Sequence, residues 1–145
     1  MRQTIADKIE QLLTRGVVNV MVKAHLRKQL LSGKKLRVKF GIDPSGADLH
    51  LGHMVVLRKL REFQELGHHI ILVIGTFTAQ IGDPTDKLEV RKPKVEAELK
   101  QNAKHYLKQA AKMIDVDQLA LEYNATWFNQ MTFKEVVKLA STFTT

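Results

Sequence analysis

Leu36-Arg-Val-Lys-Phe-Gly-Ile42 alternates apolar and charged residues with a period of two, the signature of a strand with one face inward. The pattern breaks at Asp43-Pro44, where the residue before a proline avoids helical backbone geometry. From Leu51 to Leu66 the period changes. Val56, Leu57, Leu60 and Phe63 recur at helical spacing, Arg58, Lys59, Arg61 and Glu62 lie mostly opposite, and Gly67 supplies a stop. His68 to Ile74 predicts a second strand, and its unbroken run from Ile70 to Ile74 predicts burial on both faces, as in a parallel sheet covered by helices. Strand, loop, helix and strand within about 40 residues make a βαβ unit with a right-handed crossover.

Upstream, Thr4-Ile-Ala-Asp7 reads as a variant capping box that opens a helix through Leu13, stopped by Gly16. A second helix is predicted from about Val20 to Leu31, with Gly33 beyond it. Downstream, a loop from Gly75 to Pro93 leads into a long helix over roughly Lys94 to Ile114. Leu119 to Asn124 follows as a third strand, and Thr132-Phe-Lys-Glu135 opens a last helix. That helix has an apolar face of Val136, Val137, Leu139, Ala140 and Phe143 but meets no glycine, proline or basic last turn before Thr145. The expectation is a truncated polypeptide. The predicted class is α/β, a Rossmann-like parallel sheet with flanking helices, itself incomplete. A helical segment, residues 1–33, precedes the sheet-bearing part, residues 34–145.

Composition adds exclusions. The 145 residues are 44% hydrophobic and 26% charged, which argues against disorder, collagen and coiled coil. With no cysteine there is no disulfide framework, thiolate metal site or thiol nucleophile. The longest purely apolar run, Ile70 to Ile74, is far short of the ~20 residues that span a bilayer, and no secretory signal opens the chain, so a cytoplasmic location is expected. The net charge of +8 is local: no acidic residue lies between Glu10 and Asp43, while Arg15, Lys23, Arg27, Lys28, Lys34, Lys35, Arg37 and Lys39 all do. Such a segment attracts polyanions in a salt-dependent way, or is simply a solvated basic surface.

The densest chemistry sits in the turn after the first strand, Gly41-Ile-Asp43-Pro44-Ser45-Gly46-Ala-Asp-Leu-His50-Leu-Gly52-His53, which runs into a helix. Ligands of open α/β sheets bind beyond the carboxyl ends of strands, and a helix N-terminus offers free N–H groups and a positive dipole end to phosphate. His50 and His53, three apart, face one side if the helix starts beside them, and two imidazoles can donate hydrogen bonds to one phosphate. Gly52 leaves room for a base or ribose to approach the backbone. No Walker-type or dinucleotide-binding glycine motif occurs, and the His-x-x-His pair lacks the further ligands of a zinc site.

Gly-x-Asp-Pro-Ser followed by His-Leu-Gly-His resembles the signature of class I aminoacyl-tRNA synthetases, with the pattern nearest to their bacterial tyrosyl branch. Downstream, Gly75-Thr-Phe-Thr78-Ala-Gln-Ile-Gly82-Asp83-Pro84-Thr-Asp-Lys87 is similar to that family's second loop, at the expected distance. The resemblance covers about Leu36 to the end. It implies a HUP-type Rossmann-like fold and adenylate formation: the tyrosine carboxylate attacks the α-phosphate of ATP, pyrophosphate leaves, and the aminoacyl group passes to the terminal adenosine of tRNA.

By that resemblance His50 and His53 are the catalytic pair on the phosphates, Gly52 underlies the adenosine, and Gly41, Asp43 and Ser45 line the adenylate pocket. Lys87 sits near the pyrophosphate, Asp83 holds the ammonium of the amino acid, and Thr78 neighbours it. Magnesium would accompany ATP without a dedicated protein site, and a homodimer is implied for the intact protein. Two features depart from the tyrosyl pattern. Lys39 stands where many tyrosyl enzymes carry a tyrosine that contacts the substrate phenol, and Ser45-Gly46 resembles the tryptophanyl enzymes. The family's Lys-Met-Ser-Lys-Ser-like loop would lie beyond Thr145, so the 145-residue chain alone is expected to bind ATP weakly and turn over little. The alternatives are a tryptophanyl enzyme, a nucleotidylyltransferase of the same superfamily, and a non-catalytic RNA-binding paralogue.

Overall fold

In a computed structural model, which describes residues 3–46, 48–81 and 96–143, three parallel strands form the centre of the chain. They are β1 (Arg37–Ile42), β2 (His69–Ile74) and β3 (Leu119–Tyr123), in the order β1-β2-β3. Two helices, α1 (Ile5–Thr14) and α2 (Lys23–Leu31), precede the sheet. Parallel neighbours need a crossover rather than a hairpin. α3 (Leu51–Glu65) joins β1 to β2, and the second connection carries α4 (Thr78–Ile81), α5 (Glu96–Ala110) and a short 3-10 turn, Val116–Gln118. α6 (Ala125–Phe128) and α7 (Phe133–Ala140) follow β3. The architecture is the α/β parallel sheet that the hydrophobic pattern predicts.

Period-2 geometry sends alternate side chains to opposite faces. On β2, Ile70, Leu72 and Ile74 are buried, and they pack against Leu57 and Leu60 of α3 and Ala103 and Ala110 of α5. The other face is different: His69 is exposed, and Ile71 and Val73 are only half-buried. On β1 the residues of the open face are Arg37, Lys39 and Gly41, and on β3 they are Ala120 and Glu122, all exposed. The expectation that β2 is buried on both faces is therefore corrected. α3 and α5 share one side of the sheet, so the run Ile70 to Ile74 marks a strand buried fully on one face and partly on the other.

The amino-terminal helices have a cluster of their own, Ile9, Leu12, Leu13 and Leu30, which meets Phe63 and Leu66 of α3. The Thr4 box is present: Thr4 Oγ1 accepts from the Asp7 N–H at 3.1 Å, and the Asp7 carboxylate accepts from the Thr4 N–H at 3.0 Å. At the other end of α1, the Lys59 ammonium donates to the carbonyls of Leu12 and Arg15 at 2.9 and 3.0 Å, which satisfies acceptors left over by the helix. α2 starts at Lys23, later than periodicity suggested, with Val22 in the left-handed region at φ 54°. The preceding Val17-Val-Asn-Val-Met-Val22 is rich in β-branched residues, which lose side-chain freedom in a helix. The Thr132–Glu135 box also forms, and α7 leaves Phe133, Val136, Val137 and Leu139 exposed. No described helix is long and apolar enough to cross a membrane.

Candidate functional site

The strand register places the site. Ile42 pairs with Ile74 and Ile74 with Tyr123, so the residues that follow them, Asp43, Gly75 and Asn124, form a row at the carboxyl edge of the sheet. Two more backbone bonds extend the sheet into that row: the Gly75 N–H donates to the Ile42 carbonyl at 2.9 Å, and the Asn124 N–H to the Ile74 carbonyl at 3.0 Å. Side chains then link it. The Thr78 hydroxyl donates to Asp43 Oδ1 at 2.6 Å. Asn124 Nδ2 donates to Thr78 Oγ1 at 3.0 Å, while Asn124 Oδ1 accepts from the Phe77 N–H at 2.7 Å. Glycine is required at 75, because a Cβ there would overlap both Asp43 Oδ1 and Thr78 Oγ1.

This row closes one end of an open cleft of about 560 Å³. Gly41 and Val73 lie along its floor, and Lys39, Trp127 and Phe128 flank it. Gly41 keeps the floor low: a Cβ there would meet nothing nearer than the Val73 carbonyl at 4.0 Å and would project into the free space. A carboxylate and polar groups at one end, with aromatic rings along the side, suit a small ligand that has an amine at one end and a ring at the other.

The histidines are organised by the start of α3. His50 is the N-cap residue and accepts at Nδ1 from the Gly52 N–H at 3.1 Å, while the His50 N–H donates to His53 Nδ1 at 3.2 Å. The rings lie 4.0 Å apart. A nitrogen that accepts a hydrogen bond carries no proton, so in this geometry each neutral imidazole carries its proton on Nε2. Burial, and after it the neighbouring His50, hold the His53 pKa below the ordinary 6.5. The result is a pair of Nε2–H donors at the N-terminus of a 15-residue helix, a setting that favours an anion. The structure gives Gly52 a reason of its own: a Cβ there would fall 2.9 Å from His50 Cε1 and disturb the cap.

Of the residues singled out in the sequence, Gly41, Asp43 and Thr78 come together at the cleft, and His50, Gly52 and His53 come together at the helix start. Ser45 lies exposed between the two groups, its N–H donating to the Asp43 carbonyl at 2.8 Å. Neither imidazole lines the cleft itself; His53 is turned toward Tyr106, with ring centroids 6.0 Å apart. Asp83 and Lys87 lie outside the described residues. Sequence reasoning missed Asn124, whose only signal was its place as the last residue of the predicted third strand.

Comparison with known proteins places the chain among relatives. Residues 31–145 match the family described as tRNA synthetases class I (W and Y). A tyrosine--tRNA ligase of Dehalococcoides mccartyi is 49% identical over 139 residues, which is 95% of this chain and 35% of that protein. One from Thermotoga maritima is 48% identical over 134 residues, 92% of this chain and 33% of that protein. The chain thus spans about a third of the length of the curated relatives it matches. Among solved structures, the tyrosyl-tRNA synthetase of Archaeoglobus fulgidus, complexed with L-tyrosine, superposes with a TM-score of 0.75 at 25% identity over 98% of this chain and 42% of that one. A Plasmodium falciparum tryptophanyl-tRNA synthetase shares the fold with a TM-score of 0.69 at 13% identity, over 99% of this chain and 40% of its own.

Proposed function

Because the chain belongs to the class I tRNA synthetases of the W and Y type, we propose that it forms the ATP- and amino-acid-binding part of a tyrosine--tRNA ligase. The observation that carries this reading is the row Asp43, Thr78 and Asn124 at the carboxyl edge of the sheet, opening on a cleft beside the loop that leads to the two histidines. The tyrosine ammonium lies toward Asp43 and Asp83, with Thr78 beside it, and the ring lies along the cleft. ATP lies over Gly41, Ser45 and Gly52, its phosphates against His50 and His53 and the pyrophosphate end near Lys87.

A tyrosine carboxylate oxygen bonds to the α-phosphorus as the bond to the bridging oxygen of the β-phosphate breaks, and pyrophosphate carries away that electron pair. The chain's task is to position the reactants and to stabilise charge on the phosphate oxygens, for which Nε2–H donors fixed at a helix N-terminus are suited. Magnesium enters with the nucleotide, and no three histidine, aspartate or glutamate side chains cluster among the described residues to hold an ion of their own. The terminal adenosine of tRNA then takes the aminoacyl group. The exposed apolar side of α7 suits a partner subunit of a homodimer, and the cytoplasm is the compartment of the reaction.

A chimera tests the proposal. With residues 1–145 replacing the matching part of the Dehalococcoides mccartyi ligase, exchange of labelled pyrophosphate into ATP is expected to depend on tyrosine, and His50→Ala is expected to slow it about 100-fold. Dependence on tryptophan, or no exchange where the parent ligase shows it, overturns the assignment.

A further inference from the structure

Leu99, Ala103 and Ala110 already bury α5 against the core. A second stripe of the same helix is polar: Asn102, Tyr106 and Gln109 stand at successive spacings of four and three, on one face. A buried amide costs free energy unless it is hydrogen-bonded, so its partners show what it is for. Asn102, 8% exposed, donates from Nδ2 to the Pro44 carbonyl at 3.1 Å. Gln109 uses both ends of its amide: Oε1 accepts from the Leu49 N–H at 2.9 Å, and Nε2 donates to Asp48 Oδ1 at 3.4 Å. Between them Tyr106 lies buried against the loop, where a Cβ on Gly46 would sit 3.8 Å from its hydroxyl, and its ring lies beside that of His53, tilted by 54°.

All of these partners but His53, which stands in the first turn of α3, belong to the loop that ends at His50. From the geometry we infer that Asn102, Tyr106 and Gln109 are positioning residues: α5 holds this loop at Pro44, Asp48 and Leu49 and so sets where the two imidazoles stand. Leu49 is joined by one peptide unit to His50, and His50 and His53 are tied to each other through the shared cap. A shift at Leu49 therefore moves both donors together. The inference rests on the phosphate role proposed above for His50 and His53.

Tyrosine-dependent pyrophosphate exchange in the chimera tests it. Gln109→Glu keeps an acceptor for the Leu49 N–H but sets a carboxylate against Asp48. It is expected to lower kcat about 10- to 100-fold with KM for tyrosine within about twofold, since misplacement by about 1 Å is costly at a reacting centre. Asp48→Asn added to Gln109→Glu reverses the direction of that hydrogen bond and is expected to restore kcat to within about fivefold of the parent. In a His50→Ala background, Gln109→Glu is expected to cost less than it does in the parent, because one of the two imidazoles it misplaces is already gone and residues acting through a shared group are non-additive.

A Gln109→Glu variant with unchanged kcat overturns the inference. So does a loss that Asp48→Asn fails to repair, or a cost that persists undiminished without His50. If His50→Ala alone is harmless, the phosphate role falls and the inference falls with it; if His50→Ala is costly and Gln109→Glu harmless, only the positioning role falls.

Discussion

His68 ends the turn after α3 at the edge of the sheet opposite the cleft, 9% exposed, with Nδ1 accepting from the Leu36 N–H at 3.3 Å. Burial first, and then the charges of Lys35 and His69, hold its pKa below the ordinary 6.5. The unfolded chain takes up this proton near pH 6.5 and the folded chain only at lower pH, so the stability contribution is whole above about 6.5 and is lost as pH falls through the folded value. The thermal midpoint is therefore expected to drop as pH goes from about 7 to 5, with His53 adding in the same direction. His68→Asn, whose side-chain oxygen can accept from Leu36 without titrating, should reduce that slope; an unchanged slope would show that the proton goes elsewhere. His50, His53 and Asp43 were singled out in the sequence because turn chemistry and residue type coincide there, whereas Gly41 and Thr78 were named only through the resemblance to the synthetase family. Asn124 was not, since its role depends on the pairing of Ile74 with Tyr123, a non-local fact.

At the scale of elements, β2 shows what periodicity can and cannot say. Five apolar residues in succession identify a strand within a parallel sheet, but they do not reveal whether both of its faces are covered. Ile70 is 1% exposed beneath α3 and α5, whereas Ile71 on the opposite face is half-buried. Ile70→Ala is therefore expected to cost about 3–4 kcal/mol and Ile71→Ala roughly 1 kcal/mol, read by chemical denaturation of the 145-residue chain. Equal costs would mean that the second face is covered in solution. Long elements were legible to within a few residues because their caps are local: the Thr4 and Thr132 boxes both form where side-chain chemistry places them. The four-residue helices α4 and α6 were not, since one turn has no periodicity to read.

For the molecule as a whole, charge was legible in amount but not in effect. The net charge is +8, and eight cations lie between Glu10 and Asp43. The fold absorbs some of them: Arg27 pairs with Glu10, and Lys35 Nζ lies 3.3 Å from the Leu66 carbonyl. Arg37 and Lys39 instead emerge on the open face of the sheet. The ion pairs among the described residues are few and mostly local, those of Arg58 and Lys59 with Glu62 and of Arg61 with Glu65 lying within one helix. Exposed pairs of this kind contribute about 0–1 kcal/mol each. Repulsion among the surplus cations acts over the whole surface and is screened once the Debye length shrinks to about 10 Å near 0.1 M salt. Potassium chloride raised from about 20 to 200 mM is thus expected to raise the thermal midpoint, where a protein dominated by its ion pairs would lose stability. The same salt screens the attraction between this cationic surface and a polyanion, so ATP binding should weaken across the same range. A midpoint that falls with salt would show that the cations are held by partners and not merely tolerated.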